Sequence, residues 1–138
     1  MERILFNSNC INYKYIFEYY DFPLAFISDK IENSYYFFYF IDDNQYFVKP
    51  LSMKNIELIF SCIPMRDILN EFMKENNFQV IEFINELEAK LYTLSEFEIY
   101  QSEPIEICLP EPDMEFEYEY NKGCKFSELI SIFRRNHG

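Results

Sequence analysis

An α+β domain, a twisted and mainly antiparallel sheet with two or three helices packed on it, is predicted by three observations. Residues 13–50 run as aromatic and β-branched stretches broken by turn-forming residues, which is strand patterning. After Pro50 the apolar residues recur at helical spacing. No Gly/Ser spacer, repeat or low-complexity stretch divides the 138 residues, so residues 1–138 form one domain, long enough to bury a core.

The elements follow in order. "YKYIFEYYDFPLAFISDK" (13–30) reads as two strands parted at Asp21–Pro23, where Asp favours a turn and Pro cannot donate to a ladder. "SYYFFYFIDDNQYFVKP" (34–50) reads as a β-hairpin turning at Asp42–Asn44. A first strand this apolar belongs inside a sheet with both faces covered.

Ser52 caps a short helix "MKNIELIFS". Pro64 occupies the first turn of a second, "PMRDILNEFMKEN", with Ile68, Leu69, Phe72 and Met73 on one face. Residues 78–100 fit either period, and we assign strands turning at Asn85–Glu86. "PIEICLPEP" (104–112) is expected to be extended. Residues 114–120 are expected to form a strand with Phe116, Tyr118 and Tyr120 on one face and Glu115, Glu117 and Glu119 on the other. "KFSELISIFRRN" near the C-terminus has Phe126, Leu129, Ile130 and Phe133 at helical spacing, with Arg134 and Arg135 where cations suit a helix end.

Three of these stretches, "YDFPLAF" (20–26), the hairpin "YYFFYFIDDNQYFVKPLS" (35–52) and "IPMRDIL" (63–69), together resemble an uncharacterised family of small bacterial domains of unknown function. The resemblance covers the first half of the chain. Where that family carries Trp in the second hairpin strand, this chain has Tyr46 or Phe47. The resemblance implies a bacterial or phage origin and a fold, and it assigns no catalytic residue.

Charge narrows the function. With 24 acidic against 12 basic residues the net charge is -12, which disfavours direct binding to nucleic acid or anionic membrane and favours a basic protein partner. Twelve carboxylates fall between Glu82 and Glu119, opposed only by Lys90. Four widely spaced cysteines, without C-x-x-C pairs or a neighbouring His, fit reduced, mostly buried thiols rather than a zinc or redox motif. The N-terminus has no secretory-signal pattern and no stretch is apolar enough to span a membrane, so a cytoplasmic location is expected.

Catalytic signatures are sparse. His137, the only histidine, sits beside the C-terminal Gly138, where fixed geometry for a base or ligand is hard to hold. Two glycines cannot build a phosphate-binding loop or a nucleophile elbow. Asp42 with Asp43 suits a hairpin turn. Glu115, Glu117 and Glu119 lie about 7 Å apart along a strand, too far to close on one ion. Neither a metal nor another cofactor is expected. Arg66 beside Asp67 suits either anion recognition or structural bonding to carbonyls or a carboxylate.

The acidic row can guard a sheet edge, meet a basic partner or imitate a nucleic-acid backbone. We expect a non-catalytic, acidic protein-binding module: an inhibitor, an immunity or antitoxin protein, or an accessory subunit of a bacterial or phage defence or toxin system. The partner contacts are assigned to Glu96, Glu98, Tyr100, Glu115, Glu117, Tyr118, Glu119 and Tyr120. The alternatives are a nucleic-acid mimic that inhibits a DNA- or RNA-binding protein, and a carboxylate- and metal-dependent enzyme. The oligomeric state is left open.

Overall fold

A seven-stranded, wholly antiparallel sheet organises the chain, with strand order β1-β7-β6-β5-β4-β3-β2. The computed structural model describes residues 1–20 and 22–116. The strand expected over residues 117–120, the C-terminal helix, Cys124 and His137 lie outside the described residues.

The strands are β1 (Glu2–Leu5), β2 (Tyr13–Tyr20), β3 (Phe22–Ser28), β4 (Tyr36–Asp42), β5 (Gln45–Pro50), β6 (Gln79–Phe83) and β7 (Glu88–Tyr92). The helices are α1 (Met53–Ile59), α2 (Met65–Phe72) and α3 (Leu94–Gln101). The α+β class and the meander from β2 to β5 follow the sequence pattern. Strand β4 lies between β3 and β5, and its neighbours Phe37 and Phe38 are both buried, one in each of two separate apolar clusters. Both faces of the sheet are therefore apolar at its middle.

One face carries the helices. Ser52 caps α1 through a capping box with Asn55, and α2 turns Met65, Ile68, Leu69 and Phe72 inward. The core there is ring against ring: Phe37 lies 5.6 Å from Phe72, and Phe47 stacks on Phe78 at 5.0 Å. The other face holds Phe26 stacked on Phe38 at 5.0 Å, together with Val48, Ile81 and Ala89. No described helix covers it.

What crosses that open face is residues 6–12, a strap with a 3-10 turn at Ser8–Cys10. It joins β1 and β2, the two edges of the sheet. Six strand spacings make a flat sheet about 29 Å wide, whereas the strap and its 3-10 turn reach only about 23 Å. The sheet must therefore curve, concave toward the strap. Phe6 and Ile11 of the strap pack against the open-face cluster.

Four expectations need correction, and one strand is new. Pro23 does not part β2 from β3 but lies inside β3, opposite Tyr19 of edge strand β2, where a missing N–H is tolerated. Residues 94–100 form α3 rather than strand, because Thr93 and Glu96 close a capping box: Thr93 Oγ1 accepts from Glu96 N at 3.1 Å, and Glu96 Oε1 accepts from Thr93 N at 2.9 Å. The hairpin assigned before it, turning near Asn85, is present as β6 and β7. Residues expected to be extended at 104–112 include a 3-10 turn, Ile105–Cys108, entered from Pro104. Met114–Phe116 are not strand: the Met114 carbonyl accepts from Met65 N at 2.8 Å, satisfying a free N–H at the start of α2 instead of a ladder. Strand β1 was not foreseen, and it pairs with β7 through its backbone and an Arg3–Glu88 ion pair at 3.2 Å.

Candidate functional site

The described part of the acidic half starts on α3 beside β6 and β7, then passes the start of α2 and ends at Phe116 against β2 and β4. Between Thr93 and Phe116 the chain holds seven carboxylates and no lysine or arginine. Helix α3, the 3-10 turn and the segment through Met114 carry them. Arg66 fixes this segment to α2, its Nε donating to the Pro110 carbonyl at 2.9 Å, a structural bond. Phe116 then turns inward, its ring 4.7 Å from Phe17 and 5.9 Å from Phe37.

The residues assigned to partner contact separate into groups. Glu96 is held twice by its own chain, in the α3 capping box and in an ion pair with the Met1 amine. Glu98 accepts from the Ile105 backbone N–H at 2.8 Å and so braces the 3-10 turn against α3. Tyr100 is exposed, stacks on Tyr92 at 5.1 Å and directs its hydroxyl to Glu82 at 3.4 Å. Glu115 is exposed and outward, while its neighbour Phe116 is buried. Glu117, Tyr118, Glu119 and Tyr120 lie outside the described residues.

Apolar side chains share this run. Ile99 is 80% exposed and Ile107 57%, with Met114 and Tyr100 about half exposed. Exposed carboxylates at Glu103, Glu106, Glu111 and Asp113 surround them in sequence. Such a surface can offer apolar contact area inside an anionic rim. Burial pushes the Cys108 thiol above its usual range and the Gln101 side chain partly offsets this, which leaves the thiol a weak nucleophile.

Two buried polar centres escaped the sequence pattern. Glu82 of β6 accepts from Gln45 Nε2 at 2.7 Å and from the hydroxyls of Tyr92 and Tyr100 at 3.4 Å each. Burial, then the Glu82 carboxylate, push the Tyr92 phenol up to about 12. Lys49 of β5 is fully buried on the helix face and donates to Asn55 Oδ1 at 2.9 Å, with Glu75 Oε1 3.5 Å away. Their signal is one charge in an otherwise apolar strand, and a sequence alone does not say which partner rises to meet it.

Among the described residues no three His, Cys, Asp or Glu side chains converge on a metal-sized site. Asp43 sits at the hairpin tip with φ 40°, as a turn demands. Cys10, Cys62 and Cys108 are free thiols, but not buried as expected: Cys10 and Cys62 are exposed and Cys108 is half-buried, because they lie in the strap, after α1 and in the 3-10 turn rather than in the core. No helix among the described residues is long and apolar enough to cross a membrane. Comparison of the chain with protein-family models, curated proteins and solved structures finds no match.

Proposed function

We propose that the protein acts by binding rather than catalysis, and that its partner is a basic protein docked on the layer formed by α3, the 3-10 turn and the residues up to Glu115. One observation carries this: the run from Thr93 to Phe116 has seven carboxylates and no cation, and it exposes Ile99, Tyr100, Ile107 and Met114 among them. Glu96 pairs with the Met1 amine, and the remaining carboxylates of a run that has no lysine or arginine set up a negative potential that steers a cationic partner. The exposed apolar side chains supply the area that holds it after encounter.

Tyr100 and Glu115 are contact residues in this arrangement, and Glu117, Tyr118, Glu119 and Tyr120 extend the same run in sequence. Glu96 and Glu98 shape the surface through their internal bonds. Inhibitor, immunity, antitoxin and defence-accessory proteins work in this way, by occupying a partner, and we place the protein in that functional class in the cytoplasm.

The test is capture from host lysate on the immobilised wild-type chain and on an Ile99→Ser/Ile107→Ser variant, each at low and high salt. A basic protein retained by the wild type, weakened by salt and lost from the variant is the expected result. Retention that is identical for both chains and unaffected by salt would remove this surface as the binding site.

A further inference from the structure

The side of the sheet away from the helices holds a second surface. Ile4, Leu91, Ile81, Val48 and Tyr36 lie on β1, β7, β6, β5 and β4, successive strands of the sheet, and line a groove of about 370 Å³. A sheet face left to water ordinarily alternates to polar residues, and this one does not. Leu5 at the rim is 90% exposed.

The charges around the groove are of one sign. Among the described residues Glu32 is the only charged one lining it. A smaller hollow beside Ile11 of the strap, about 240 Å³ and floored by Phe26, Phe38 and Tyr46, has Asp43 as its only charged lining group among the described residues. Among the described residues neither is lined by a lysine or arginine. Burial, then the Glu32 carboxylate, raise the Tyr36 phenol, which sets the carboxylate beside the groove wall.

We propose that this groove seats the apolar face of an amphipathic segment of a protein partner, whose flanking lysines or arginines meet Glu32. A helix laid on a concave apolar surface, anchored by side chains one turn apart, is a recurrent form of such recognition. A net charge of -12 makes face-to-face pairing of two copies repulsive, which favours a cationic occupant over a second copy. The inference rests on the proposed basic partner for the occupant's charge, while the groove stands on the opposite side of the sheet from the helix core.

The probe is a synthetic amphipathic Leu/Lys peptide, with a Leu/Glu counterpart and a Leu/Lys scramble lacking an apolar face. Binding to the full chain is followed by backbone amide chemical shifts. The Leu/Lys peptide should move Ile4, Tyr36, Ile81 and Leu91, and the two controls should not. Leu5→Asp and Glu32→Lys should each weaken binding about tenfold, as loss of one anchoring contact does, with the unfolding midpoint unchanged.

Shifts confined to residues 94–115, or equal binding of the scramble, would overturn the groove and leave the basic-partner reading intact. Seating of the Leu/Glu peptide alone in the groove would overturn the occupant proposed here and count against a basic partner as well. Two further outcomes would replace the occupant: a disulfide between Cys124 and a Leu5→Cys variant formed without peptide, showing the chain's own C-terminal segment there, or a sedimenting dimer abolished by Leu5→Asp.

Discussion

Lys49, fully buried in β5, donates a 2.9 Å hydrogen bond to Oδ1 of Asn55 in α1, and that same oxygen also accepts from the Ser52 backbone N–H at 3.0 Å. One side chain therefore solvates a buried cation and closes the capping box of the helix above it. Asn55→Ala removes both roles. It should cost about 2 to 4 kcal/mol, combining a hydrogen bond to a charged group with a lost cap. Lys49→Met removes the cation with the need for a partner and should be near neutral, as apolar replacements of buried charges often are. Urea unfolding of the two variants decides it, and equal losses would show that the lysine itself stabilises the fold.

The same lysine sets a pH dependence. Burial lowers its pKa, and Glu75 opposes that without cancelling it. The folded state then binds fewer protons than the unfolded state between the lowered value and the ordinary 10.5, so this group makes stability rise with pH across that window. Lys49→Met should lose ground to wild type as pH climbs toward 10.5. Tyr92 acts in the opposite sense: its phenol, pushed up to about 12, contributes stability below pH 10 that is lost as pH rises from there through the folded value. Tyr92→Phe should flatten that alkaline loss. Unfolding midpoints of the three proteins across neutral and alkaline pH check both signs, and parallel curves would contradict them.

Phe38 lies on interior strand β4, buried on the open face and stacked on Phe26 at 5.0 Å. Phe38→Ala should cost about 3 to 5 kcal/mol, the usual loss for a deleted core aromatic. An unchanged denaturation midpoint would mean that the strap and open face contribute little to the fold.

Much of this sheet is legible in the chain because its strands are continuous aromatic runs, with the β4–β5 hairpin turning after Asp42 and β5 ending at Pro50. Helix α1 announces itself through Ser52. Helix α3 is missed because its apolar residues fit both periods, and the deciding signal is the Thr93–Glu96 capping pair rather than the period. Strand β1 has four residues with mostly exposed side chains, so backbone pairing to β7 makes it, and that pairing has no local signature. The acidic layer is visible as composition. Its division into Glu96 and Glu98, bonded internally, and exposed Glu115 is not, since it depends on where the Ile105 N–H and the Met1 amine come to lie.

The capping pair is itself testable. Thr93→Ala should destabilise the protein by about 1 kcal/mol, the usual cost of a lost N-cap. It should also raise amide exchange through α3 while leaving the β4–β5 ladder protected, because local opening of one helix need not involve the sheet. Exchange that rises equally in both places would show that α3 and the sheet open as one unit.

Steering by the acidic layer is tested most directly by association kinetics of the basic partner with wild type and with a Glu103→Lys/Glu106→Lys/Glu115→Lys variant, at two ionic strengths. All three carboxylates are exposed, so reversal should leave folding nearly intact. The association rate should fall at least about tenfold for the variant at low salt, with the two proteins converging as salt is added. Equal rates that do not respond to salt would contradict a charge-steered binding role for this surface.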